Sequence, residues 1–273
     1  MAITKAIIPV AGYGVRRLPI TKVIEKCMLP IGNRPIVDYV VHDCLSAGIT
    51  DIYFVVSSEN TQLEAFYSDN DQLNQYLIKN NKSDLLPLIS APSIKLHFIV
   101  QSVNDKYGTA IPVCLVAPMI EKGESVVVLM GDDFIYNSDG SSEVARLMAA
   151  TPEGGCSMLG VDVPADQVNR YGVLQYDENN HFIKIVEKPS IETAPSTMIN
   201  VSKYVINYDL LTTIVKYAES KVDGEYYITD PINQYVSGGG NLVVVPSAGQ
   251  FLDGGSLEGW LHANNVVAGE SRF

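Results

Sequence analysis

The stretch Ala6-Ile7-Ile8-Pro9-Val10-Ala11-Gly12-Tyr13-Gly14-Val15-Arg16 decides how the rest of the chain is read. Ala6 to Val10 is a short apolar run closed by a glycine turn, which predicts a buried strand despite Pro9. Two glycines directly after a strand let the backbone turn tightly and lay its N–H groups against phosphate oxygens. A neighbouring arginine pairs such oxygens bidentately. On these residues alone, a structural turn and a phosphate-binding loop are equally open. The segment is not a Walker loop, since no Gly-Lys-Ser/Thr follows, and it lacks the third glycine of a dinucleotide fingerprint.

Beyond the loop, Pro35 suits a first helical turn, and Ile36, Val37, Val40, Val41, Cys44 and Leu45 mark one helix face until Gly48. Asp51 to Val56 supplies the next strand. Strand, loop, helix and strand within 56 residues predict a parallel sheet covered by helices. The alternation continues through polar helical stretches between Thr61 and Lys82, a strand at Leu96 to Gln101 and a helix at Thr109 to Ala117. Ser125 to Met130 is a further buried strand that ends in Gly131-Asp132-Asp133, and carboxylates just past such an end stand where open α/β sheets place their ligands. Gly172 to Tyr176 and Phe182 to Val186 flank Asn179-Asn180 and predict a hairpin. Met198 to Ile206 reads as a strand, Tyr208 to Tyr217 as a helix and Leu257 to Val267 as a closing helix. The expected fold is α/β: a Rossmann-like three-layer α/β/α arrangement with a mixed, mainly parallel central sheet and a small antiparallel elaboration. One domain spanning 1–273 is expected, with halves 1–135 and 136–273.

Composition narrows the function classes. At 273 residues and 47% hydrophobic, the chain can bury a large core, and no apolar run approaches the length of a membrane span. Cys27, Cys44, Cys114 and Cys156 are dispersed and form no metal or redox pair, which suits a reducing cytosol. A formal charge of −12 argues against nucleic acid and anionic membranes as partners. Yet residues 1–34 carry six cations, Lys5, Arg16, Arg17, Lys22, Lys26 and Arg34, against the single acid Glu25. Concentrated cations beside a glycine turn fit a small polyanion, although a solvated basic loop is the plainer account.

Read on from Arg16, the segment continues Arg17-Leu18-Pro19-Ile20-Thr21-Lys22 and Glu25-Lys26-Cys27-Met28-Leu29-Pro30. It resembles the signature of the nucleoside-diphosphate-sugar pyrophosphorylases: a glycine-x-glycine-threonine-arginine loop, then proline-x-threonine-lysine, then proline-lysine-glutamate-methionine-leucine-proline. The proline-x-threonine-lysine part looks most like the bacterial UTP–glucose-1-phosphate uridylyltransferases. The resemblance recurs in order along nearly the whole chain, at Val100-Gln101, Gly131-Asp132-Asp133, Tyr171-Gly172-Val173, Glu187-Lys188-Pro189, Glu225 to Asp230, and Leu252-Asp253-Gly254-Gly255.

The resemblance implies a nucleotide-binding half, 1–135, and a sugar-phosphate half, 136–273. Ala11, Gly12, Gly14, Val15, Arg16, Lys26, Gln101, Gly108 and Asp132 would bind the nucleotide. Asp133, Gly172, Glu187, Lys188 and Lys203 would bind the sugar phosphate. Arg16, Lys26 and Lys188 would be the catalytic cations, and Asp132 and Asp253 would hold Mg²⁺. The implied reaction joins UTP and glucose 1-phosphate into UDP-glucose and pyrophosphate, in a cytoplasmic homodimer or homotetramer. The alternatives are a thymidylyltransferase or other sugar-1-phosphate nucleotidylyltransferase, and a non-catalytic regulatory relative that binds nucleotide sugars.

Each residue also has a plain account. Asp132 and Asp133 could cap a helix, and Asp253 could be a turn aspartate. Gln101 could be a strand-end amide, and Lys188 a surface lysine. Trp260 reads as packing and His262 as surface. The chain also departs from the family pattern. Val15 stands for threonine, Glu25 for proline, Cys27 for glutamate, Lys106 for a glycine beneath the base, and Lys203 for arginine. A backbone N–H does the phosphate work, so Val15 is tolerable. Cys27 and Lys106 fall where the resemblance puts the base or ribose, and bear on the choice between uridine and thymidine.

Overall fold

Ala6, Ile7 and Ile8 are fully inaccessible, and side-chain alternation sends them to two different cores. Ala6, Ile8 and Val10 join one cluster with Val37, Cys44, Leu63, Leu147 and Ala263 of the helices on that face. Ile7 joins the other, with Val113, Leu210, Ile214 and Ile232. A strand buried on both faces reads as a continuous apolar run, which is why this one carries no polar alternation.

The molecule is described by a computed structural model covering residues 2–59, 61–102, 106–179 and 181–270. Its first part runs β1 (Lys5–Pro9), the short pair β2 (Pro30–Ile31) and β3 (Arg34–Pro35), α1 (Ile36–Ser46), β4 (Asp51–Ser57), α2 (Gln62–Tyr67), α3 (Asp71–Lys79), β5 (Lys95–Gln101), α4 (Ala110–Val116) and β6 (Val126–Leu129). The second part runs β7 (Asp133–Tyr136), α5 (Glu143–Ala150), β8 (Cys156–Asp162), β9 (Gly172–Tyr176), β10 (Phe182–Glu187), β11 (Met198–Ile206), α6 (Tyr208–Glu219), α7 (Thr229–Ser237), β12 (Leu242–Pro246), β13 (Gln250–Asp253) and α8 (Leu257–Glu270). Nine strands form one sheet in the order β10-β9-β11-β6-β1-β4-β5, with β8 on β11 and β12 on β8. The pairs among β6, β1, β4 and β5 are parallel, whereas β11 runs antiparallel to β6, β8 and β9. The mixed, mainly parallel sheet between helix layers is the expected one. β9 and β10 form the expected antiparallel pair, and Asn180 of its turn lies outside the described residues. No helix among the described residues is long and apolar enough to cross a membrane.

Three features of this topology place side chains. Parallel β1, β5 and β6 all point the same way, so the loops after Pro9, Gln101 and Leu129 emerge at one end of the sheet. Antiparallel β11 meets that end at Lys203, which pairs with Leu129. Finally β13 returns beside β7 with Asp253 opposite Asp133. The return of β13 is held by Glu143, whose carboxylate is about 1% exposed and accepts from the N–H groups of Ala248 and Gly249, both at 2.9 Å, and from Arg146 Nε at 3.1 Å. Glu143→Ala strands two backbone donors, so a loss of about 3 kcal/mol in unfolding free energy is expected from urea titration.

Candidate active site

The glycine loop is built by local packing. Gly14 has φ 63°, a left-handed conformation that a side chain would strain. A Cβ there would also stand 3.0 Å from Thr21 Cγ2 and 3.1 Å from Lys26 Cβ. Thr21 Oγ1 donates to the Gly14 carbonyl at 2.9 Å, so the proline-x-threonine-lysine segment props the loop from behind. Tyr13, Val15 and Arg16 are left exposed. Ala11 and Gly12 lie at the carboxyl end of β1, and nothing would obstruct a Cβ on Gly12, so the loop's outer backbone is open to a ligand.

Facing it, Lys26 is ion-paired with Asp132. Burial resists the charge on Asp132, but Lys26, Lys203 and Arg16 outweigh it and hold the carboxyl below its ordinary value. Asp133 is the opposite case. Burial first, then the charges of Asp132 and Asp253, push it up to about 7 against the pull of Lys203. Three carboxylates from two distant parts of the sequence therefore sense one another. The Gly254 N–H donates to the Asp132 carbonyl at 3.1 Å, and a Cβ on Gly255 would lie 2.8 Å from Asp253 Oδ1 and 3.3 Å from Lys26 Nζ. A glycine floor thus leaves Asp253, Lys26 and Asp132 sharing one small space. Oxygen donors from neighbouring strands, with room for substrate oxygens, fit a hard divalent cation. Among the described residues no three acids, histidines or cysteines form a metal cage by themselves.

Lys203 is 3% exposed and pairs with Asp133, with longer contacts of 3.4 Å to the carbonyls of Asp133 and Val201. Its ammonium is turned onto the protein, so it fixes Asp133 and offers no free charge to a ligand. Lys188 is exposed, at the unusual φ of 42°, with its N–H on the Tyr171 carbonyl at 3.0 Å. Backbone strain of this kind in a residue other than glycine collects at functional positions. The Tyr171 ring in turn packs on Phe251, two residues before Asp253 and on the same strand. Glu187 pairs with Gly172 across the hairpin, and a Cβ on Gly172 would approach its Oε1 to 3.2 Å. The Glu187 carboxyl is held above its ordinary value, chiefly through desolvation by its neighbours, with Lys188 opposing. Both Glu187 and Asp133 press on the Tyr204 phenol, which burial chiefly pushes up, so the hairpin end and the acid cluster lie close together.

Gln101 ends β5, and its Nε2 contacts the Lys106 carbonyl at 3.3 Å. Gly108 takes φ 125°, and a Cβ would meet the Tyr226 backbone nitrogen and oxygen at 2.4 Å. No side chain fits there. Gly108→Ala should cost at least about 2 kcal/mol, read from chemical denaturation, and raise KM for nucleotide, because the loop must move off Tyr226.

Three departures from the family pattern find structural jobs. Glu25 accepts from the N–H groups of Thr61 and Gln62 at 2.7 Å, and so caps α2 across space. Cys27 is not at a ligand surface: it is 3% exposed inside the core, where burial pushes its thiol up. Lys106 also turns away from a base position, toward the carbonyls of Ala218 and Ser220 at the end of α6, at 2.6 and 3.1 Å, with the Tyr226 ring beneath it. It is a C-terminal helix cap. Arg17, to which the sequence assigns no site role, is 6% exposed and bound to the Ser256 carbonyl. Its one visible signal was a second arginine inside an otherwise apolar turn. A concavity of about 790 Å³ is lined by Thr4, Gly48, Gly123 and Asn207 at the far end of the sheet, away from these acids. Open α/β sheets bind at the carboxyl end of their strands, and the charged groups gather there.

The model of the nucleotidyl transferase family matches residues 5–270. A UTP–glucose-1-phosphate uridylyltransferase of Mycoplasma pneumoniae is 31% identical over 275 residues, covering 97% of this chain and 92% of that protein. One from Escherichia coli is 33% identical over 247 residues, covering 86% and 80%. The UTP-bound UGPase from Acinetobacter baumannii superposes with a TM-score of 0.88 at 26% identity, over 99% of this chain and 95% of that one. With a family model spanning all but its ends and relatives above 30% identity over most of its length, the chain belongs to the nucleotidyl transferase family.

Proposed function

We propose that the chain transfers a uridylyl group from UTP to glucose 1-phosphate, releasing pyrophosphate and forming UDP-glucose. The observation that carries this reading is the meeting of Asp132, Asp253 and Lys26 beside the glycine loop. The sugar phosphate oxygen is already an anionic nucleophile, so no general base is required. What limits the rate is bringing two anions into line and stabilising the charge that moves onto pyrophosphate. The backbone of Ala11, Gly12, Gly14 and Val15 cradles the triphosphate, with Arg16 on the departing pyrophosphate and Lys26 on the phosphate chain. Gln101 and Gly108 border the base. On the other side Gly172 and Glu187 hold the sugar hydroxyls, Lys188 meets the sugar phosphate, and Lys203 acts by fixing Asp133. Asp132 and Asp253 would hold Mg²⁺, which when bound neutralises phosphate charge. The sheet shared by both halves supports one domain over 1–273, and the resemblance supports a cytoplasmic homo-oligomer.

Uridine rather than thymidine rests on the named relatives, which are uridylyltransferases. The test is incubation with glucose 1-phosphate and Mg²⁺ plus either UTP or TTP, with nucleotide sugar and pyrophosphate quantified. Equimolar UDP-glucose and pyrophosphate are expected, at a rate at least tenfold above that with TTP. Faster thymidylyl transfer would reassign the base, and nucleotide binding without product would favour a non-catalytic relative.

A further inference from the structure

Arg17 is placed where a cation is costly. The residue is 6% exposed, and among the described residues its Nε has no hydrogen-bond partner. Nη1 donates to the Ser256 carbonyl at 2.9 Å, and the guanidinium carbon lies 5.0 Å from the centre of the Trp260 ring. Both contacts belong to the start of α8, where Ser256 Oγ accepts from the Gly259 N–H at 3.0 Å. A helix N-terminus is the positive end of the helix dipole and disfavours a neighbouring cation. Burial lowers the guanidinium's hold on its proton, and Asp253 offsets this. For stability alone an apolar side chain would serve as well, since replacing buried charge by a hydrophobic group of similar volume is commonly neutral or favourable. A local rule broken without a stabilising return points to function.

The position explains the return. Arg17 directly follows Arg16 of the glycine loop, and the family motif leaves this position open. The carbonyl it grips lies three residues beyond Asp253, on the loop whose Gly255 N–H is bound to Asp253 Oδ1 at 2.7 Å. We infer that Arg17 is a positioning residue that locks the loop of Asp253 to the nucleotide loop, so that triphosphate seated on one sets the acid carried by the other. The inference rests on the uridylyl-transfer reading for its substrate, while the link itself is a property of residues 14–17 and 253–260. Trp260 is the only tryptophan in the chain and reports on the link directly.

The experiment compares wild type with Arg17→Met and Arg17→Lys. Steady-state kinetics with UTP, glucose 1-phosphate and Mg²⁺ are read beside thermal melting and Trp260 emission during UTP titration. In the methionine variant, melting temperature is expected within a few degrees of wild type or above it. Its turnover should fall at least tenfold with KM for UTP within twofold, and the nucleotide-dependent change in Trp260 emission should vanish. Lysine keeps the charge but loses the planar fork, so an intermediate result is expected. Should the methionine variant fail to fold, the lysine variant carries the same comparison. Wild-type turnover with an unchanged emission response in either folded variant overturns the inference. Lost turnover with the emission response intact also overturns it. If wild type makes no UDP-glucose, yet UTP alters its Trp260 emission and Arg17→Met abolishes that change, the link stands and the substrate reading fails.

Discussion

Lys26→Ala should lower turnover by on the order of 10²–10³, the usual loss when a fixed donor to developing charge is removed. Lys26 stands on Asp132 and against the floor of Gly255, and its stem packs under Gly14, so it joins the glycine loop to both acid-bearing turns. Without it, Asp132 loses the ion pair that keeps it charged and faces the triphosphate uncompensated. Because Lys26 and Asp132 act through one contact, their effects should not add: Lys26→Ala combined with Asp132→Ala should cost little more than the worse single change. The check is kcat/KM for the three variants beside their melting curves. Turnover within threefold of wild type in the lysine variant would reduce Lys26 to a structural ion pair with Asp132.

The second large effect is at Asp253. Asp253→Asn keeps the short bond to the Gly255 N–H, since an amide oxygen accepts it as well, but removes the charge. A metal-assisted phosphate transfer loses several kcal/mol of transition-state stabilisation when a ligand is lost. At about 1.4 kcal/mol per decade this predicts a fall of order 10³ in turnover. Melting should be little changed, and UTP affinity in EDTA should match wild type. A variant that needs no more Mg²⁺ than wild type for half-maximal rate would contradict the role.

Much of this was legible in the residues themselves. The order β1, glycine loop, α1 and β4 followed from an apolar run, two glycines and one helical face, and Gly131-Asp132-Asp133 announced itself by ending a buried strand. The elements that escaped were α5, β8 and α7, of seven to nine residues, and three strands whose pairing is set far away in sequence. β7, β13 and β12 are four or five residues each, too short for periodicity, and gain order only from partners such as Glu143. The same holds for side chains. Whether Lys203 offers its charge outward or spends it on Asp133, and whether Cys27 and Lys106 face a ligand or the protein, depends on contacts that no local pattern encodes. Glu25 looked like a fault in the motif, and its job as the cap of α2 appears only once Thr61 and Gln62 fold over it.

Crystals grown with UTP and Mn²⁺, with anomalous scattering used to locate the metal, would bear most directly on the site. The ion should appear between the Asp132 and Asp253 carboxylates, roughly 2.0–2.3 Å from an oxygen of each, with the triphosphate on the loop from Gly12 to Arg16. A manganese peak bound to neither acid, or UTP seated at the far end of the sheet, would contradict the convergence on which the proposed chemistry depends.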